Sequence, residues 1–359
     1  MNKSTSPNSM ARNWALCLGG GEAQLPLILA AKQKGLLVCV VDKNKHCIAS
    51  PHADKFIKAS TYDATPLLSI LDSIELPIVT LLARTSGPAL YTAAAIDEKL
   101  KRFGLSQQLV SLCTIKSRLR DYCEASDIPV PKGTVSDNTN LFPELPVVVR
   151  PDYPLSGKKA VTLCTHKHQL KPAVESAKAA SADGKADVAC FIDGNDISLL
   201  AHVRQGSVTP IAWWEEVNQF SNGELKASGL LFPAQITPKI KIQIINAATQ
   251  FSNSFSNLNY LLAFSFRLDR QQQARLIEVH ADLTGDLILD RLLPAATQCE
   301  VLPEIVQGLL TDHYPDYTQG QLIPTAIRFD EGETRLLQAT DFSELIKQFN
   351  NTRESSCDE

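Results

Sequence analysis

A chain of 359 residues is longer than one hydrophobic core usually organises, so two or three packed subdomains are expected. Its formal charge is -4 and it has no dense block of Lys or Arg, which excludes a surface that tracks a phosphate backbone; no nucleic-acid partner is expected. No apolar run approaches the roughly 20 residues that span a bilayer, so no membrane is expected either.

Residues 1–13 are polar and lack the apolar core of a secretory signal, so they read as a disordered leader. The nine cysteines are odd in number, form no CxxC pair, and in several cases sit in strand-like apolar runs where Cys acts as a small hydrophobe. That pattern points to reduced thiols and a cytoplasmic location.

Residues 15–18 read as an apolar strand, Gly19-Gly20-Gly21 as a turn, 25–34 as a helix and 36–41 as a second buried strand. Residues 77–83 are another all-apolar strand and 89–103 a helix, and such alternation predicts a parallel sheet with helices on both faces. Near residue 105 the character changes: 116–126 is an amphipathic helix and 128–133 an extended break. From residue 146 the strands shorten, at 147–150, 161–164, 188–192, 197–203 and 208–213, and hairpin-like loops predict mainly antiparallel pairing. Residues 261–267 and 275–279 form a hairpin, 287–293 a helix, and 350–359 a frayed end.

Candidate chemistry follows this frame. Backbone amides of Gly20 and Gly21, between strand and helix, are placed to receive an anion. Asp42 ends the second strand where a dinucleotide fingerprint has its acidic residue, but Gln24 replaces the third glycine. An NAD-dependent oxidoreductase therefore rests on this unit alone and leaves residues 111–310 without a role. Arg84 and Ser86 follow a strand at the carboxyl edge of the sheet, where open α/β sheets bind ligands; Ser86 also suits a helix N-cap. Arg150 closes an apolar strand, and a charge there needs a partner, of which a nucleotide phosphate is one. Lys116, Lys158 and Lys159 add positive charge. Glu278, His280 and Asp282 alternate at period two, which puts them on one face of a strand end; hard oxygen ligands suit Mg²⁺ and His does not.

Taken in order, these segments resemble the ATP-grasp superfamily across residues 14–310. Leu18-Gly-Gly-Gly with Gln24 and Pro26, Val41-Asp-Lys-Asn44, Ser60-Thr-Tyr-Asp63 and Arg84-Thr-Ser-Gly-Pro88 are similar to the opening domain of the carboxylate-amine/thiol ligase type, which is biotin-carboxylase-like. Thr114-Ile-Lys-Ser-Arg-Leu-Arg120 with Ile128-Pro-Val-Pro131 resembles the start of the grasp region, and implies a phosphate contact for Lys116. Leu145-Pro-Val-Val-Val-Arg150-Pro151 is similar to the strand that ends in a phosphate-binding lysine, here Arg150, and Ser156-Gly-Lys-Lys-Ala-Val161 to the loop that covers the phosphates. Cys190-Phe-Ile-Asp-Gly-Asn-Asp196 resembles the hinge, which implies adenine beside Phe191 and Ile192 and ribose on Asp196. Leu276-Ile-Glu-Val-His280 and the turn to Asp286 look like the metal-binding strand, with Glu278 as bridging carboxylate.

Three departures stand out: His280 replaces the usual asparagine, Ser265 the acid of the preceding strand, and Asp282 the arginine that meets a substrate carboxylate or acyl phosphate. The resemblance implies a fold that is α/β plus α+β: a Rossmann-like pre-ATP-grasp domain (14–110), two ATP-grasp lobes (111–190 and 191–310), and a C-terminal extension (311–359). It implies ATP and Mg²⁺ as cofactors, a small-molecule carboxylate and an amine or other nucleophile as substrates, and carbon-nitrogen bond formation through an acyl phosphate. Dimers are common in that family, so a homodimer is an open expectation. The alternative is a degenerate member that binds nucleotide without turnover.

Overall fold

The computed structural model describes residues 13–351 except 75, 136–143, 156–158, 222, 285–286 and 331–332. Residues 1–12 of the polar leader and Lys158, with the first half of the expected covering loop, lie outside the described residues. So do Gly285 and Asp286.

Apolar runs with no polar alternation become strands covered on both faces. Trp14–Leu18 (β1) and Leu37–Asp42 (β2) are of this kind, joined by Leu25–Gln33 (α1), and Lys55–Lys58 (β3), Ala64–Ser73 (α2) and Ile78–Leu82 (β4) follow. These strands make a parallel sheet in the order β3-β2-β1-β4. Strand order reverses between β1 and β4, since β1 leads outward to β2 on one side and β4 returns on the other. That is the topological switch point of the sheet.

The next helix, Pro88–Lys99 (α3), ends earlier than its sequence pattern predicts. Asp97, 1% exposed, accepts from Arg102 Nε at 2.9 Å and from the Leu105 amide at 2.9 Å, which folds residues 100–106 into a turn instead of a further helical turn. Gly87, at φ 58°, takes the N-cap position of α3, and Ser86 is exposed beside it.

Gln107–Thr114 (α4) and Lys116–Ala125 (α5) lead to a group of antiparallel strands: Gly133–Val135 (β5), Val147–Pro151 (β6), Thr162–Cys164 (β7) and Ala186–Cys190 (β8), covered by Lys167–Ala179 (α6). Val147, Val149, Cys164, Leu170, Val174, Ala177 and Val188 form a core of their own under this group. A larger antiparallel set follows: Gly194–Arg204 (β9), Ser207–Ser221 (β10), Glu224–Phe232 (β11), then Pro238–Ser252 (α7), Asn259–Asp269 (β12) and Ala274–His280 (β13). The order is β13-β12-β9-β10-β11-β7-β6-β8-β5, and among the described residues the two sets meet through a single register pair, Glu224 with Thr162.

Strand β10 runs far beyond the short apolar segment expected from sequence. Its second half carries Glu215, Glu216, Asn218 and Gln219, polar residues that hide the strand pattern yet pair in register with β11. A π-helical turn over Ile288–Leu292 precedes Leu293–Thr297 (α8) and Val301–Thr311 (α9). Thr325–Asp330 (β14) pairs with both β11 and Glu333–Gln338 (β15), and Phe342–Asn351 (α10) packs over them. Among the described residues all eight cysteines are free, and no helix is long and apolar enough to cross a membrane.

Candidate functional site

The N-terminus of α5 has no side-chain cap of its own, because Ile115 stands at the N-cap. Its free donors are met from the end of β6: the Lys116 amide donates to the Asp152 carbonyl at 3.0 Å, and the Ser117 amide and hydroxyl each donate to the Asp152 carboxylate at 2.7 Å. This bond set fixes the start of α5, and hence Lys116, against the strand that carries Arg150.

Arg150 faces Asp187 across the β6–β8 register, and its Nε donates to Asp187 Oδ2 at 2.9 Å. Asp187 is fully buried and also receives Arg120 from α5. The other edge of the Arg150 guanidinium lies 3.7 Å from Glu278 Oε1, which Lys116 Nζ approaches to 3.0 Å. His280 Nε2 is 3.3 Å from the second oxygen of Glu278. Glu278 is thus the shared counter-ion of three basic groups from α5, β6 and its own strand.

Electrostatics follow from that geometry. Burial alone would push the Glu278 carboxyl up, but Lys116, His280 and Arg150 outweigh it and hold it well below the usual carboxylate range. Burial opposes charge on His280, yet its hydrogen bond and attraction to Glu278, with the nearby Asp282 charge, raise it above the ordinary histidine value. Ser265 is the register partner of Glu278 on β12 and bonds Ser198 at 2.9 Å, which in turn donates to Glu216 at 2.9 Å. Among the described residues no three His, Cys, Asp or Glu side chains are grouped to hold a metal.

Beyond the end of β8, the Arg267 guanidinium lies 5.1 Å from the Phe191 ring centroid, and Phe220 meets the same ring edge-on. Arg267 also pairs with Asp196 at 3.2 Å, and Asn218 donates to Asp196 at 2.9 Å. The sequence places Phe191 and Ile192 inside a strand; the strand stops at Cys190, because the chain turns toward Gly194 to begin β9. Lys159 is exposed. Asp282 lies just past β13 and has a buried oxygen, Oδ1, without a hydrogen-bond partner among the described residues.

Gly20, Gly21 and Arg84 form a separate group at the carboxyl edge of the parallel sheet. Gly19 sits at φ 95°, and a side chain on Gly20 would meet Cys47 Sγ at 2.4 Å, so this turn requires glycine at both positions. The Gly20 amide donates to Asp42 at 2.8 Å, the Gly21 amide to the Gln24 side chain at 3.1 Å, and Gln24 donates to the Arg84 carbonyl at 2.5 Å.

No protein-family model matches the chain, and no curated protein matches it either. Solved structures do. L-amino acid ligase from Bacillus licheniformis is similar with a TM-score of 0.70 at 17% identity, over 88% of this chain and 79% of that one. N5-carboxyaminoimidazole synthetase from Staphylococcus aureus, complexed with ADP, reaches a TM-score of 0.68 at 16% identity over 97% and 90%. Biotin carboxylase from Campylobacter jejuni reaches 0.66 at 14% identity over 88% and 75%. The chain has the ATP-grasp fold.

Within that fold, sequence reasoning did not single out Arg120, Asp152, Asp187, Glu216, Arg267 or Asp290. Arg150 carried the only signal: an arginine closing an apolar strand requires a counter-charge, and the structure supplies it from Asp187, 37 residues away. The other pairings join distant elements, so spacing could not reveal them.

Proposed function

We propose that this ATP-grasp protein is an ATP-dependent ligase, which activates a small-molecule carboxylate as an acyl phosphate for attack by an amine. The observation that carries the reading is the convergence of Lys116 and Arg150 on Glu278, at 3.0 and 3.7 Å. On this reading residues 14–110 are the pre-ATP-grasp domain, 111–190 and 191–310 the two lobes, and 311–359 an extension. The adenine lies beside Phe191 and Ile192, the ribose on Asp196, and the phosphates on Lys116 and Arg150, with Lys158 and Lys159 covering them.

A substrate carboxylate oxygen attacks the γ-phosphorus, ADP departs, and the amine then displaces phosphate. Lys116 and Arg150 offset the charge that spreads over the transferring oxygens. Mg²⁺ suits the site through Glu278 alone, since this ion is commonly held by one or two carboxylates with phosphate oxygens and water completing its shell. When bound, it would neutralise charge between the β- and γ-phosphates. His280, 3.3 Å from Glu278, orients that carboxylate.

A second reading, nucleotide binding without turnover, is favoured by one feature: the Ser265 hydroxyl, paired with Glu278, bonds Ser198 where a second carboxylate would serve the metal. Incubation with Mg-ATP and small carboxylates and amines separates the two. Substrate-dependent phosphate release supports the ligase; saturable ATP binding with no release supports the second reading.

A further inference from the structure

Arg84 is only 4% exposed, and its guanidinium is used on one side only. Nη1 donates to the Ala23 carbonyl at 3.1 Å and to Asp290, on the π-helical turn, at 2.9 Å. Nε and Nη2, both buried, have no hydrogen-bond acceptor among the described residues. Those two nitrogens form the planar fork that matches the two oxygens of a carboxylate or phosphate. Leaving buried charged donors unmet is costly, so an empty fork of this kind marks a position where a ligand completes the site.

Its place in the fold agrees. β1 ends in the glycine turn and β4 ends two residues before Arg84, so the fork lies at the switch point between these two parallel neighbours, the crevice where open α/β sheets take ligands. The backbone is locked there by the Gln24 bridge between Gly21 and Arg84, which presets the arginine before any ligand arrives.

Two observations select the anion. The Gly20 and Gly21 amides, which a phosphate would need, already donate to Asp42 and Gln24. Asp290 shares the guanidinium, so the site has little net positive charge to offer a dianion. We infer that Arg84 anchors a subsite at the β1/β4 switch point for a small molecule bearing a carboxylate, held through Nε and Nη2. Its role in supplying a reactant rests on the ligase reading; the binding itself does not.

The test is made on the full chain without ATP, by calorimetry with the twenty L-amino acids and simple hydroxy and dicarboxylic acids, each against its amide. Inorganic phosphate is included. At least one carboxylate binds the wild type at least about 10-fold more tightly than its amide, and Arg84→Lys, which keeps the charge beside Asp290 but loses the fork, weakens it by a similar factor. Arg84→Gln serves as the second variant, with melting curves to confirm that each is folded. ATP binding is measured in the same variants and stays unchanged. Equal binding of acid and amide, tighter binding of phosphate, undiminished binding by Arg84→Lys, or no response in the wild type each overturns the proposal. A failure of ATP binding alone counts against the ligase reading and leaves this subsite standing.

Discussion

Two charged centres of the molecule are built on opposite terms. Around Glu278 the basic groups already have partners: Lys116, Arg150 and His280 meet its carboxylate, and Arg150 and Arg120 share Asp187. Around Arg84 the guanidinium is half used, with Nε and Nη2 buried and unmet. An anion at the first centre must exchange existing ion pairs for its own contacts, whereas an anion at the second fills a vacancy in the bonding. The comparison teaches that the antiparallel sheet stores its cations against internal carboxylates, while the parallel sheet presents one cation preset for a ligand.

Removing the deepest counter-ion gives the largest effect. Asp187→Asn leaves Arg120 without its buried anion and Arg150 with Glu278 alone, and is expected to destabilise the protein by about 3–5 kcal/mol. Equilibrium urea unfolding measures this; a change below about 1 kcal/mol would mean that the two guanidinium groups reach water or other partners. Asp152→Ala, which strips the Ser117 amide and hydroxyl of their carboxylate acceptor but keeps the carbonyl that meets the Lys116 amide, is expected to cost about 0.5–2 kcal/mol by the same measurement and to weaken ATP binding by loosening the start of α5.

The smallest effect is a pH dependence. The His280 value is raised in the folded state, so its contribution is complete below the unfolded histidine value of about 6.5 and is lost as pH rises through the raised value. Glu278 is depressed, so its contribution is present above the ordinary carboxylate value and lost only as acid reaches the lowered one. Melting temperature should therefore fall modestly as pH rises above about 6.5 in the wild type and less so in His280→Asn. Identical profiles would remove His280 from the hub. The same variant restores an oxygen donor beside Glu278 and is expected to tighten Mg²⁺ binding in the presence of ATP.

Much of the fold was legible because burial leaves a mark in sequence. Runs such as residues 15–18, 36–41 and 77–83 have no polar alternation, and they became β1, β2 and β4 of the parallel sheet with no end moved by more than one residue. Strand β10 was half hidden, because Glu215, Glu216, Asn218 and Gln219 interrupt the apolar pattern while remaining in the ladder. Helix α3 was read too long, because the Asp97 contacts that end it come from Arg102 and Leu105 in three dimensions. In the site, the residue types of Lys116, Arg150 and Glu278 were readable from the resemblance. Their mutual pairing was not, since the three stand on α5, β6 and β13 and meet only when the strands assemble.

The ligase reading stands most directly on Glu278. Phosphate release from Mg-ATP, measured with a panel of carboxylates and amines for the wild type and for Glu278→Gln, is the decisive comparison, because glutamine keeps shape and hydrogen bonding while removing the charge. Substrate-dependent release by the wild type, reduced about 100-fold or more in a variant that still melts cooperatively, at a lowered temperature because Lys116, Arg150 and His280 lose their shared anion, is the expected result. Turnover retained in Glu278→Gln, or a wild type that binds ATP and never releases phosphate, would contradict it.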